Sequence, residues 1–195
     1  MNRVDNKHFY YSSIVEHGYT PQGLSWHSKQ SQEVRFHQLL SLLPHDTRSV
    51  VDAGCGFADL YGYLRRQGRY TIRYIGLDAL EVMVDEASRR ISSPVYQCDI
   101  LYDPLPAGEF YLCSGALNIL TREAAYRFIK RCYSASTRGM IFNFLEGKKE
   151  SKTFNYLQAA VLEQLGESLG ARVIFRRHYY EQDCTVAFYK RDGLE

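Results

Sequence analysis

Two carboxylates and two glycines carry the first chemical signal in the chain. Asp52 closes the β-branched run Val50-Val51 and is followed by Ala53-Gly54-Cys55-Gly56; Asp78 closes a second run, TIRYIGLD, over residues 71–78. Glycines in such a turn permit a tight reversal and let a ligand approach the backbone, while the helix that follows opens on N–H groups without intrahelical partners. An acid at the end of the second strand suits a ribose diol, because a carboxylate accepts two hydroxyl hydrogen bonds. Asp52 has the wrong sign for the pyrophosphate of a dinucleotide and the right sign for a cationic ligand tail. The dinucleotide pattern G-x-G-x-x-G is also broken, since position 59 is Asp, and no G-x-x-x-x-G-K-[ST] phosphate loop occurs. A nucleoside that carries an amino acid and a positive charge satisfies all of these features.

These residues need a parallel sheet to bring them together, and the hydrophobic pattern supplies one. From Ser49 onward short β-branched runs alternate with longer amphipathic stretches, the pattern of strands covered by helices. Strands are expected at 49–52, 71–78, 95–98, 110–114 and 140–145, with helices over 59–67, 80–90, 122–134 and 158–169. Leu80, Met83, Val84 and Ala87 fall at i, i+3, i+4 and i+7, one apolar face. Two final strands, 172–180 and 184–189, are joined by Glu181-Gln182-Asp183, a connection short enough to require antiparallel pairing. Ahead of this core, residues 1–48 form a lead segment rich in aromatic and turn-forming residues, with a helix from about Gln30 to Leu43 that stops at Pro44.

Length and composition bound the rest. A chain of 195 residues with 45% apolar and 24% charged residues can bury one core, and a formal charge of +2 lacks the footprint of a dedicated nucleic-acid binder. The five cysteines are scattered and never in C-x-x-C spacing, so buried free thiols are expected and no metal site. The opening MNRVDNKHFYYSSIVEHG has no apolar core of a signal peptide, and no run of about 18 apolar residues occurs, which predicts a cytoplasmic protein without membrane contact.

VVDAGCGFADL resembles motif I of the class I S-adenosylmethionine-dependent methyltransferases, and YIGLDAL resembles their motif II. QCDIL and FYLCSGALNIL are similar to the motif III and motif IV segments, in the same order, and the likeness runs over about residues 49–191. One departure is Ala58, where the family often has a third glycine. The resemblance implies an α/β, Rossmann-like, doubly wound sheet of seven strands, mostly parallel with an antiparallel last strand and helices on both faces. It implies S-adenosylmethionine as cofactor and S-adenosylhomocysteine as product. Asp52, Gly54, Cys55 and Gly56 would then hold the methionine moiety, Asp78 and Ala79 the ribose, Asp99 and Ile100 the adenine, and Ser114 would lie under the sulfonium. Some methyltransferases carry a similar aromatic N-terminal cover; here Trp26 is expected near the methyl donor and Arg35 on the cofactor's carboxylate.

Methyl transfer from a sulfonium is an in-line displacement that needs positioning more than any particular catalytic side chain. Asn118, His27 and Tyr11 are the candidates by type and place, with Tyr10, His178 and Tyr179 behind them. SGALN replaces the [DN]-P-P-[YF] of amino-methyltransferases, and no Pro-Cys pair offers a cytosine-attacking thiol, which argues against DNA bases as acceptors. A small-molecule acceptor is expected first; a protein or RNA acceptor read with a partner, or a cofactor-binding module without catalysis, remain the alternatives.

Overall fold

The computed structural model describes residues 6–191. The lead segment contributes α1 (Asn6–His17), a short 3-10 turn (Gln22–Leu24) and α2 (Lys29–Leu42). The core then runs β1 (Ser49–Ala53), α3 (Asp59–Arg66), β2 (Arg73–Asp78), α4 (Glu81–Arg90), β3 (Val95–Gln97) and β4 (Gly108–Cys113). It continues with a 3-10 turn (Ala116–Ile119), α5 (Arg122–Ala135), β5 (Ser136–Glu146), β6 (Tyr156–Leu157), α6 (Ala159–Ser168), β7 (Ala171–Arg176) and β8 (Asp183–Lys190).

The strands form one sheet in the order β3-β2-β1-β4-β5-β8-β7, with β6 added to the end of β5. Pairing is parallel from β3 through β5, and β8 enters antiparallel between β5 and β7. The seven-stranded order is as expected, and the two-residue β6 makes an eighth strand, too short to carry a period. Because the order reverses between β1 and β4, the ends of β1, β2 and β4 open a crevice where ligands bind in open α/β sheets.

Each face of the sheet buries its own core. On one, Phe36 and Leu39 of α2 join Leu60 and Leu64 of α3 over Val50, Phe110 and Ile141. On the other, Phe128 and Ile129 of α5 and Leu162 of α6 cover Val51, Tyr111 and Phe142. Alternate residues of β1 and β4 thus serve opposite faces, as a strand covered on both sides requires.

Among the boundaries that differ from the sequence expectation, three have identifiable reasons. β5 starts at Ser136, four residues early, because the polar stretch 136–139 is recruited by pairing to β4 and β8. β7 stops at Arg176, and the chain leaves the sheet through His178 and Glu181, both at positive φ. Asp183 is the first residue of β8, opposite Leu145, rather than part of the turn. The helix α1 was not foreseen, since its apolar residues fall on no single stripe.

Candidate active site

A cavity of about 390 Å³ opens at the carboxyl ends of β1, β2 and β4, beneath the lead segment. Asp52, Gly54, Cys55, Gly56, Asp78, Ala79, Asp99, Ile100, Ser114 and Trp26 all line it. Of the expected cofactor residues only Arg35 lies elsewhere.

Asp52 is 2% exposed and accepts a 2.6 Å hydrogen bond from the Tyr74 hydroxyl on the neighbouring strand. Burial pushes its carboxyl up to about 7, with Asp78 and Asp59 adding repulsion and the Tyr74 bond opposing. Tyr74 had no signal in the sequence, because it reads as one more aromatic on an apolar strand. Asp78 accepts from the Gly56 N–H at 2.9 Å on one oxygen and from the Leu80 N–H at 3.0 Å on the other. This carboxylate therefore fixes the glycine turn and the start of α4 together, and each oxygen keeps a lone pair for a hydroxyl. Burial raises its pKa against the backbone N–H groups of Leu80, Gly56 and Ala79.

The turn offers the ligand something different from what its glycines suggest. The Gly54 and Cys55 N–H groups both donate to the Leu77 carbonyl, and that of Gly56 is held by Asp78. Among the described residues the Gly54 carbonyl accepts no hydrogen bond, so an acceptor is what remains. Gly54, Gly56 and Ala58 adopt positive φ, of 77°, 53° and 61°. At Ala58, where the related motif often has glycine, the left-handed conformation is held although it disfavours a Cβ. A Cβ at Gly54 would lie 2.5 Å from that of Ala116, besides the unfavourable φ. We expect Gly54→Ala to lose about 1–3 kcal/mol in urea unfolding and to bind no cofactor in calorimetry.

Asp99 lines the cavity while one oxygen closes its own turn onto the Leu101 N–H at 2.9 Å. Ile100 beside it is buried, and its carbonyl accepts from Arg131 of α5. Ser114 donates to the Asn143 amide oxygen at 2.8 Å; Asn143 in turn donates to Thr185, which meets the Tyr179 hydroxyl. Asn143 and Thr185 are fully buried.

The lead segment closes the cavity from above. Leu24 packs over Gly56, and the Trp26 ring lies on Gly115, where a Cβ would be 2.8 Å from it. Gln32 of α2 donates to Asp59 at 2.9 Å, while Arg90 of α4 bonds the Tyr19 carbonyl and sits over Phe57. The guanidinium of Arg35, expected on the cofactor's carboxylate, is instead committed inside the protein. It forks onto Asp183, donates to the Ser31 carbonyl at 2.7 Å, and is sandwiched by Trp26 and Tyr180 at 4.8 and 5.0 Å.

Among the catalytic candidates Asn118 and Tyr10 line the cavity. His27, Tyr11 and His178 are exposed and lie outside the lining, and the Tyr179 hydroxyl is spent on Thr185. Burial raises the pKa of the Tyr10 phenol, with Asp78 and Cys113 adding to it, so Tyr10 stays protonated at neutral pH and is no general base. The same cause keeps Cys55 and Cys113 as thiols. All five cysteines are free and buried. Among the described residues no group of three or more His, Cys, Asp or Glu could hold a metal ion, and no helix is long and apolar enough to cross a membrane.

This sheet order, with a glycine turn after β1 and an acid closing β2, is the Rossmann-like arrangement of class I methyltransferases. Residues 50–139 match the family model described as a methyltransferase domain. Solved structures share its fold at low identity. Magnesium protoporphyrin IX methyltransferase from Synechocystis PCC 6803, crystallised with bound S-adenosylhomocysteine, superposes with a TM-score of 0.64 at 17% identity over 83% of each chain. Human N-acetylserotonin methyltransferase in complex with S-adenosylmethionine gives 0.66 at 14%, over 80% of this chain and 51% of that one. An O-methyltransferase family protein from Burkholderia thailandensis gives 0.67 at 12%, over 96% and 70%. No curated protein sequence gives a significant match.

Proposed function

We propose that this cavity binds S-adenosylmethionine and that the enzyme transfers its methyl group to a small-molecule acceptor. The observation that carries the reading is the convergence of a buried acid, a half-buried acid, a turn with two glycines and an aromatic cover on one cavity of about 390 Å³, within the usual size of a small-molecule site. The donor set fits the cofactor. Asp52 and the Gly54 carbonyl accept from the methionine ammonium, Asp78 from the ribose diol, and Asp99 and Ile100 flank the adenine. Ser114 lies toward the sulfonium, with Trp26 above it. Residues 1–48 act as the cover and 49–195 as the catalytic core.

Bound here, S-adenosylmethionine supplies an electrophilic methyl carbon on a sulfonium. The chain's own share is to orient and to exclude water. Asp78 sets the turn, the Trp26 ring closes the space over Gly115, and the Ser114 proton is directed away to Asn143 so that its lone pairs face the cavity. Holding two reactants in attack geometry supplies a large part of the rate without a general base. The Synechocystis and human enzymes are named for small-molecule acceptors, magnesium protoporphyrin IX and N-acetylserotonin, which supports the same class here. Free cysteines suit a reducing compartment, and we place the protein in the cytoplasm on that ground. Calorimetry with S-adenosylmethionine and S-adenosylhomocysteine, followed by a methyl-transfer screen over metabolites, RNA and proteins, tests the reading. Absence of binding by both nucleosides ends it, and turnover of only RNA or protein redirects the acceptor class.

Asp52 gives this reading a pH signature. Its folded pKa of about 7 stands above the ordinary carboxylate value, so burying it favours the protonated form. Its contribution to stability is complete below about pH 4 and is lost as pH rises through 7. Asp52→Asn should therefore gain stability relative to wild type between pH 4 and pH 8 in thermal melts without cofactor. Binding of the cofactor's ammonium favours the ionised carboxyl, so calorimetry near pH 6.5 in buffers of different ionisation enthalpy should show proton release, absent in Asp52→Asn. Equal heats in all buffers would contradict the contact.

A further inference from the structure

Asn118 is the place where the cavity has an unused group. Its backbone is pinned from both sides: the N–H donates to the Gly115 carbonyl at 3.0 Å, and the carbonyl accepts from the Asn155 N–H at 2.6 Å. The Asn155 side chain adds a 3.4 Å bond to the Leu117 carbonyl. The residue lines the cavity and is 8% exposed, yet its side-chain oxygen is the one buried polar side-chain atom without a hydrogen-bond partner among the described residues. Other buried polar side chains, Asp52, Asn143 and Thr185 among them, are paired. An unpaired buried carbonyl oxygen is costly, and a leucine of similar shape would remove the cost. The oxygen itself is buried rather than open to the cavity, and rotation about χ2 exchanges the two ends of the amide within the same envelope, which brings the oxygen to the cavity without moving the pinned backbone.

The surroundings narrow what it meets. Ile119 and Leu120 follow it in the lining, and Phe154, next to the bonded Asn155, lines the cavity while still 38% exposed. The Trp26 ring covers Gly115, three residues before Asn118. Next to Asn118 these walls are apolar and aromatic, which suits a flat, uncharged body that brings a donor. We propose that the methyl acceptor is a neutral aromatic molecule bearing a hydroxyl, and that this hydroxyl donates to the Asn118 side-chain oxygen. Asn118 then determines specificity, and the assignment rests on the functional reading given above.

The experiment uses the full chain saturated with S-adenosylhomocysteine and titrates 2-naphthol against 2-methoxynaphthalene, which has the same ring system and no donor. We expect wild type to bind 2-naphthol roughly tenfold tighter or more, since a site with an orphaned acceptor discriminates against a ligand that leaves it unpaired. Asn118→Leu should bring the ratio to about one and leave the affinity for S-adenosylhomocysteine within about twofold, which also reports that the variant is folded. A wild-type ratio below about two, failure of both naphthalenes to bind, or an unchanged ratio in Asn118→Leu overturns the proposal. So does a loss of S-adenosylhomocysteine affinity in the variant with naphthol discrimination intact, which would give Asn118 to the cofactor. Failure of wild type to bind S-adenosylhomocysteine is a separate result and removes the functional reading itself. The wild-type comparison needs no variant and decides even where Asn118→Leu does not fold.

Discussion

Replacing Asp78 by alanine is expected to weaken S-adenosylhomocysteine binding by roughly tenfold or more in calorimetry, and the loss has two separable origins. The first is the pair of lone pairs offered to a ribose diol, each charge-assisted bond being worth about 1.5–3 kcal/mol. The second is internal, because the same carboxylate holds the Gly56 and Leu80 N–H groups and so shapes the turn that borders the cavity. Asp78→Asn tells them apart. An asparagine oxygen can still accept one backbone N–H, but its NH2 end faces the other with a donor, so the turn loosens on one side only. We expect an intermediate affinity for Asn and a melting temperature closer to wild type than that of Ala. Affinity in Asp78→Ala equal to wild type would remove the ribose assignment.

Arg35→Ala should be the most damaging change to stability away from the glycine turn, by about 3–5 kcal/mol in denaturant unfolding and of the order of 10 °C in melting temperature. The guanidinium side chain is 10% exposed and that of Asp183 1%. Burial pushes the Asp183 carboxyl up and Arg35 holds it back, so truncating the arginine leaves a buried acid to take up a proton. The loss belongs to the orphaned partner more than to the pair. Arg35→Met combined with Asp183→Leu should therefore recover most of it, since well-packed apolar residues often replace a buried pair without penalty. A double variant as unstable as the single one would show that the sandwich of Trp26 and Tyr180 around the guanidinium matters more than its charge.

What the sequence revealed follows the range of the interactions concerned. The glycine turn, Asp52 and Asp78 were legible because each is specified within a dozen residues by strand ends, turn chemistry and the sign of a carboxylate. Sheet order followed from the resemblance and from the short connection that forces β7 and β8 to be antiparallel. Arg35 went to the wrong partner because Asp183, 148 positions away, read as a turn residue. Its place as the first residue of β8 is set by pairing to β5, which no local pattern encodes. The Tyr74 bond to Asp52 crosses between strands, and the committed N–H groups of the turn depend on where Leu77 and Asp78 arrive. Asn118 was found by its position in the loop after β4, whereas its lack of a partner is visible only once everything around it is placed.

The insertion of β8 between β5 and β7 also orders events during synthesis. Until residues 183–190 have left the ribosome, β5 has an open edge and Arg35 has no counter-ion, so the nascent chain carries an unfinished sheet and an unfastened cover. The segment before β1 waits for a strand made after all the others of the sheet, and a polypeptide stalled or clipped before β8 would hold the whole glycine turn while being unable to close a roof over it.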